Sequence, residues 1–176
     1  VSGTLWTIGH STRSADDFVA VLAAHGIEML VDVRRFPGSR RHPQFGAAAL
    51  EATLAGHGIG YTWLDKLGGR RRGETGPLQA GWRNTSFRAY AGYTWTEDFA
   101  QGLDELLHLA AAQRTAIMCS ELLWWRCHRA LVSDVLRFLG CEVIHIADQK
   151  PGKPHPYTAP ARVVEGELVY PEGDCC

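Results

Sequence analysis

No apolar run in the chain approaches the roughly 20 residues that a membrane-spanning helix requires, so no membrane partner is expected. The opening Val1-Ser2-Gly3-Thr4 lacks the basic-then-apolar layout of an export signal, which makes the cytoplasm the expected location. No Cys-x-x-Cys pair occurs, so a structural zinc site is not expected. Neither a Gly-x-Gly-x-x-Gly nor a Walker-type loop is present; nothing points to NAD or ATP, and the cofactor stays open. Five cysteines, an odd number without a secretory signal, argue against a disulfide framework. Two of them, Cys175 and Cys176, end the chain and receive no role.

The 176 residues suffice for a single domain (1–176) with its own core. A hydrophobic content of 45% and a charged content of 21% are ordinary for a globular protein. The net charge of −1 conceals a segregation: between Arg34 and Arg88 ten basic residues face only Glu51, Asp65 and Glu74, leaving +7 there and −8 elsewhere. Either a basic surface faces an anion, or these arginines pair with acidic residues elsewhere in the fold.

Leu5–Ile8 reads as a first strand, closed by Gly9-His10-Ser11. Ser14 with Asp17 resembles a capping box before the apolar positions Phe18, Val21 and Leu22, and Gly26 is placed to end that helix. Ile27–Val33 reads as a second, buried strand, making a βαβ unit and hence a parallel pair. Phe45–His57 is expected as a helix, and Ile59–Leu64 as a strand. Residues 65–93 form a long Gly- and Arg-rich loop with room for a short helix near Ser86–Tyr90. Phe99, Leu103, Leu106, Leu107 and Ala110 set out a helix over Thr96–Gln113. A strand (Arg114–Met118), a helix (Arg126–Leu139) and a last parallel strand (Glu142–Ile146) follow. An extended tail, 148–176, carries a short hairpin near 163–170. The expected fold is thus three-layer, doubly wound α/β, with a mainly parallel sheet of about five strands.

In such a sheet the carboxyl ends of the strands share one edge, and ligands bind there. Four polar clusters converge on it: His10-Ser11, Asp32 with Arg34, Asp65 onward, and Cys119-Ser120-Glu121 followed by Cys127-His128-Arg129. Cys119, at a strand end near arginines, is placed to have a lowered thiol pKa and act as a nucleophile; otherwise it is a small buried hydrophobe. Glu121 can serve as general acid or base, or orient an arginine. His128 can carry a proton, whereas Cys127 is expected to pack against the sheet. Arg129 suits a bidentate grip on phosphate or carboxylate, and His10, Ser11, Asp32, Arg34 and Ser39 extend the cradle. Gly68-Gly69 allows backbone to approach a ligand closely. Trp124-Trp125 either stack on a planar ligand or pack under the helix start. The spacing of Cys119, Cys127, His128 and His10 matches no standard zinc arrangement, so no metal is assigned.

These segments resemble the domain of unknown function 488 family. The resemblance lies in Thr7-Ile8-Gly9-His10-Ser11, Asp32-Val33-Arg34 with Pro37 and Ser39, Gly58-Ile59 with Tyr61, Leu67-Gly68-Gly69, and Cys119-x-Glu121 with Cys127-His128-Arg129. Asn84-Thr85-Ser86-Phe87-Arg88 and the Pro-rich tail are similar to one of its subgroups, as is Trp124, where many relatives have proline. The resemblance implies an α/β domain and a prokaryotic cytoplasmic protein, and brings no activity with it. Two functions follow from the residues. One is a site, possessed by an enzyme or ligand-responsive domain, for a phosphate-bearing small molecule such as a nucleotide. The other is nucleic-acid binding by segment 34–88 with Trp63, Trp82, Phe87 and Tyr90 interleaved. Oligomeric state is left open.

Overall fold

The computed structural model describes residues 2–173; Cys175 and Cys176 lie outside them. Five parallel strands form the body of the sheet: β1 (Thr4–Gly9), β2 (Met29–Asp32), β3 (Gly60–Trp63), β4 (Thr115–Cys119) and β5 (Glu142–Ile146). A two-residue antiparallel strand, β6 (Lys153–Pro154), extends the edge beside β5, and β7 (Arg162–Val164) with β8 (Glu167–Val169) makes the expected hairpin. The order across the sheet is β3-β2-β4-β1-β5-β6. The sequence reading paired β1 with β2; they are parallel, but β4 lies between them and is hydrogen-bonded to both.

Period-two alternation sorts the strand side chains into two cores. Trp6, Ile8, Leu30, Ala116 and Met118 face α1 (Ala15–Ala24) and α2 (Ala47–Ala55). Leu5, Val31, Ile117, Cys119 and Val143 face α3 (Thr85–Tyr93), α4 (Glu97–Ala112) and α5 (Arg129–Phe138). The helices start where their caps dictate. Ser14 Oγ accepts from the Asp17 N–H at 3.1 Å, Asn84 from Phe87 at 3.1 Å and Thr96 from Phe99 at 3.3 Å, each satisfying an amide with no intrahelical partner.

Two expected elements differ. The 65–93 segment is not all loop, because α3 occupies its last third, longer than the single turn or so foreseen. The helix expected over Arg126–Leu139 is broken: Trp124–Arg126 forms a 3-10 turn, Cys127 is extended, and α5 begins only at Arg129. That break is what turns the Cys127 side chain toward Cys119. The exit of β1 leads to helices on one face and the exit of β4 to the opposite face, so a crevice opens above β4 where a doubly wound sheet binds ligands. Among the described residues no helix is long and apolar enough to cross a membrane.

Candidate functional site

The crevice is a cleft of about 900 Å³, within the range of small-molecule sites. Its floor is the ends of β1 and β4. The chain after β4 crosses the end of β1 so closely that a Cβ on Gly9 would lie 1.7 Å from the Glu121 carbonyl oxygen; only glycine permits this crossing. The amides of His10 and Ser11 continue the ladder, donating to the Cys119 and Ser120 carbonyls at 2.9 and 3.0 Å. Those two N–H groups are therefore not offered to a ligand, and Ser11 is held in the left-handed region at φ 52°.

One wall is built on a buried ion pair. Asp32 accepts from the Arg34 amide (3.0 Å), from Arg34 Nε (2.9 Å) and Nη2 (2.7 Å), and from the Tyr61 hydroxyl (2.6 Å). Asp32 lies beneath the cleft and Arg34 lines it, so the aspartate anchors rather than contacts a ligand. Burial, then the Asp32 hydrogen bond, pushes the Tyr61 hydroxyl well above its ordinary pKa. His10 stacks on Phe45 at 4.4 Å and donates from Nδ1 to the Ser11 carbonyl at 2.8 Å. Its Nε2 lone pair then faces Arg34 Nη1 at 3.4 Å. Burial, with Arg34 adding to it, lowers its pKa to about 4, so the ring is neutral near pH 7.

The thiols reverse the order expected from sequence. Cys119 lines the floor of the cleft but is almost wholly buried, and burial pushes its pKa well above the ordinary value. Its S–H donates to the Glu121 carbonyl at 3.8 Å, and the Cys127 thiol lies close beside it. Burial alone would raise Cys127 too. The neighbouring Cys119 thiol, the Arg129 charge and the Arg129 amide at 3.5 Å outweigh that and bring it down to about 7. Strand-end position did not activate Cys119 because the next helix starts ten residues later, beside Cys127. His128 is half-buried, and desolvation lowers its pKa; Nε2 donates to the Val33 carbonyl at 2.7 Å, leaving the Nδ1 lone pair 3.4 Å from Cys127 Sγ.

Two further expectations are corrected, the grip of Arg129 and the orienting role of the Glu121 carboxylate. Arg129 is fully buried and does not line the cleft, so it cannot grip a ligand; its Nη2 donates to the Glu121 carbonyl at 2.6 Å and fixes the loop after β4. The arginine is thus held by the backbone of Glu121 and not by its carboxylate, which lines the cleft with no hydrogen-bond partner among the described residues. Gly68 serves the chain's own packing, since a Cβ there would meet Arg35 Cα at 2.7 Å, whereas Gly69 lines the cleft beside His128, whose Nδ1 a Cβ would meet at 2.9 Å. Of the two placements open to Trp124, packing within the protein is found: it lies flat on His145 at 4.5 Å. Ser39 lines the cleft, its Oγ accepting from the His42 amide at 3.0 Å.

Residues absent from the sequence-based set are Arg35, Arg40, Arg41, Arg70 and Arg126, which line the cleft with Arg34. The excess charge of segment 34–88 was the signal for all of them but Arg126. Among the described residues, only Arg34 of that segment forms an ion pair; Arg35 and Arg71 donate to backbone carbonyls, and Arg88 donates to the Trp82 carbonyl at 2.8 Å. Glu121 is the one carboxylate on the cleft wall. Among the described residues no three His, Cys, Asp or Glu side chains are grouped to hold a metal ion.

Fold and site together define a doubly wound α/β protein with an arginine-lined, thiol-bearing cleft at the carboxyl edge of its sheet. Residues 14–136 match the family described as Domain of unknown function DUF488, and the chain belongs to that family. No curated protein and no solved structure matches it.

Proposed function

We propose that the cleft binds a phosphate-bearing small molecule and that the thiolate of Cys127 attacks an electrophilic centre on it, forming a bond to sulfur as the bond from that centre to a leaving oxygen breaks and the oxygen takes up a proton. The observation that carries this reading is the charge of the wall: Arg34, Arg35, Arg40, Arg41, Arg70 and Arg126 against the single carboxylate of Glu121, around an opening that ends on Cys127. Guanidinium groups recognise phosphate by paired, charge-assisted hydrogen bonds. A thiol brought down to about 7 is substantially ionised at neutral pH. His128 Nδ1 is the nearest acceptor for its proton, and Glu121 is placed for proton transfer on the open side.

The test is a thermal-shift screen of inorganic phosphate, nucleotides and sugar phosphates, repeated with the Arg40→Ala/Arg41→Ala variant. A ligand at about 100 times its Kd stabilises by about 2.7 kcal/mol, or about 5–10 °C for a chain of this size. The reading expects such a shift for at least one phosphate ester and its loss in the variant. No shift with any of them, or an undiminished shift in the variant, contradicts it.

A second reading, single-stranded nucleic acid in the same cleft, is favoured by one observation. Phe36 is 65% exposed on the cleft wall and available for base stacking, with the partly buried Phe87 on the same wall. A gel shift at about 50 mM salt that weakens steeply by about 200 mM supports it, and no shift at the lower salt removes it.

A further inference from the structure

Helix α5 turns two formally charged side chains into the interior, Arg129 and Asp134, both with 0% exposure. Among the described residues no carboxylate lies within ion-pair distance of Arg129. A buried guanidinium without a nearby counter-charge is costly unless its donors are held. Nε has no partner among the described residues; Nη2 is held by the Glu121 carbonyl, and Nη1 by a continuous chain of hydrogen bonds across the sheet face. Arg129 Nη1 donates to Thr7 Oγ1 at 3.2 Å. Thr7 meets His145 Nδ1 at 2.5 Å, its direct neighbour in the β1–β5 register. His145 Nε2 meets His155 Nδ1 at 2.8 Å, and His155 Nε2 meets Asp134 Oδ1 at 2.7 Å. Asp134 also accepts from the Thr158 amide (3.0 Å), the Thr158 hydroxyl (2.5 Å) and the Tyr170 hydroxyl (3.0 Å).

With both rings neutral, one assignment of protons satisfies every link. Asp134 accepts from His155 Nε2–H. The His155 Nδ1 lone pair accepts from His145 Nε2–H, whose own Nδ1 accepts the Thr7 hydroxyl proton. The Thr7 oxygen then accepts from Arg129. All donors point away from the guanidinium and toward the carboxylate, so the chain joins the two charges and leaves none of its links competing. His145, His155, Thr158 and Tyr170 all lie beyond the family match, which ends at residue 136. Trp124, on the loop that Arg129 fixes, covers both imidazoles, stacked on His145 and edge-on to His155 at 4.9 Å.

We propose that Thr7, His145 and His155 are positioning residues that hold Arg129 against the thiol of Cys127, so that the C-terminal segment beyond the family match completes the reactive end of the cleft. This rests on the reading of Cys127 as the reacting group. Four groups face that thiol: Cys119 from β4, Tyr90 from α3, and His128 and Arg129 from the start of α5. The chain reaches only Arg129, so breaking the chain acts on the thiol through that one group.

The test is the pH dependence of alkylation at Cys127 in the full chain, read by peptide mass spectrometry, for wild type and Thr7→Val, Thr7→Ser, His155→Leu and Leu168→Ala. Thr7→Val and His155→Leu are expected to raise the midpoint by about one pH unit, slowing alkylation about fivefold near pH 7. Thr7→Ser keeps the hydroxyl and the wild-type midpoint. Leu168→Ala loosens the same C-terminal hairpin without touching the chain, and lowers Tm with no change of midpoint. A wild-type midpoint in the ordinary thiol range overturns the reading of Cys127 and the proposal with it. A low wild-type midpoint unmoved by Thr7→Val and His155→Leu, or moved as much by Leu168→Ala, overturns the proposal alone. Should these variants not fold, nitrogen-15 NMR of the wild-type histidines decides: His145 and His155 both neutral with Nε2–H supports the chain, and either ring charged or in the other tautomer at neutral pH overturns it.

Discussion

Replacing Asp32 by Asn tests whether the cleft wall rests on a buried charge pair. The change keeps the shape of the side chain and removes its charge. Asp32 is 0% exposed and Arg34 7%, so solvent screens the pair little. Asparagine offers one acceptor oxygen where the carboxylate takes four hydrogen bonds on two, from Arg34 and Tyr61. The guanidinium is left buried without a counter-charge, a loss of about 3–5 kcal/mol. For a chain of this length that is a fall in Tm on the order of 10 °C. Tyr61→Phe removes one charge-assisted bond and should cost about 1.5–3 kcal/mol. Chemical denaturation of both variants checks the order of the two. A loss below about 1 kcal/mol for Asp32→Asn would refute the argument that the pair supports the wall.

Acid should destabilise the chain from an unusually high pH. The folded state holds His10 at about 4 and His145 at about 2, against 6.5 for the free ring. Burial is the first cause in both; His155 and Arg129 add to it at His145. Below about pH 6.5 the unfolded chain takes up protons that the folded one refuses. Stability is therefore complete above 6.5 and falls by about 1.4 kcal/mol per pH unit per ring as the pH drops, the His10 share ending near 4. Denaturant titrations from about pH 7 to 4 check this, and His10→Phe should flatten the curve. Gly69→Ala places a methyl 2.9 Å from His128 Nδ1, which must shift; it should slow Cys127 alkylation several-fold and lower Tm by a few degrees, measured side by side. Arg41→Ala and Arg126→Ala should each weaken phosphate binding while leaving unfolding energies within about 0.5 kcal/mol of wild type.

The elements with clean local signals were readable from sequence. Ser14 and Thr96 begin helices where their side chains suggest, and the apolar spacing of Phe99, Leu103 and Leu106 marks the buried face of α4. The order of strands was not readable. β1, β2 and β4 are each short and apolar, and nothing local tells β2 to pair with β4 in place of β1. The polar edge of the sheet was legible because chain direction alone places His10, Arg34 and Cys119 there. Which thiol is activated was not, since that depends on the extended residue between a 3-10 turn and α5, and on Arg129 lying under the cleft. The hydrogen-bonded chain left a trace: Ser133 and Asp134 interrupt an otherwise apolar run in α5. Its partners in β1, β5 and the tail come together only through the fold.

Site-resolved alkylation of the wild-type protein at neutral pH tests the central claim most directly. The account predicts that Cys127 reacts first, with a midpoint near 7, while Cys119 stays unmodified and phosphate slows the reaction. Modification of Cys119 ahead of Cys127, or equally slow reaction at both, would contradict it.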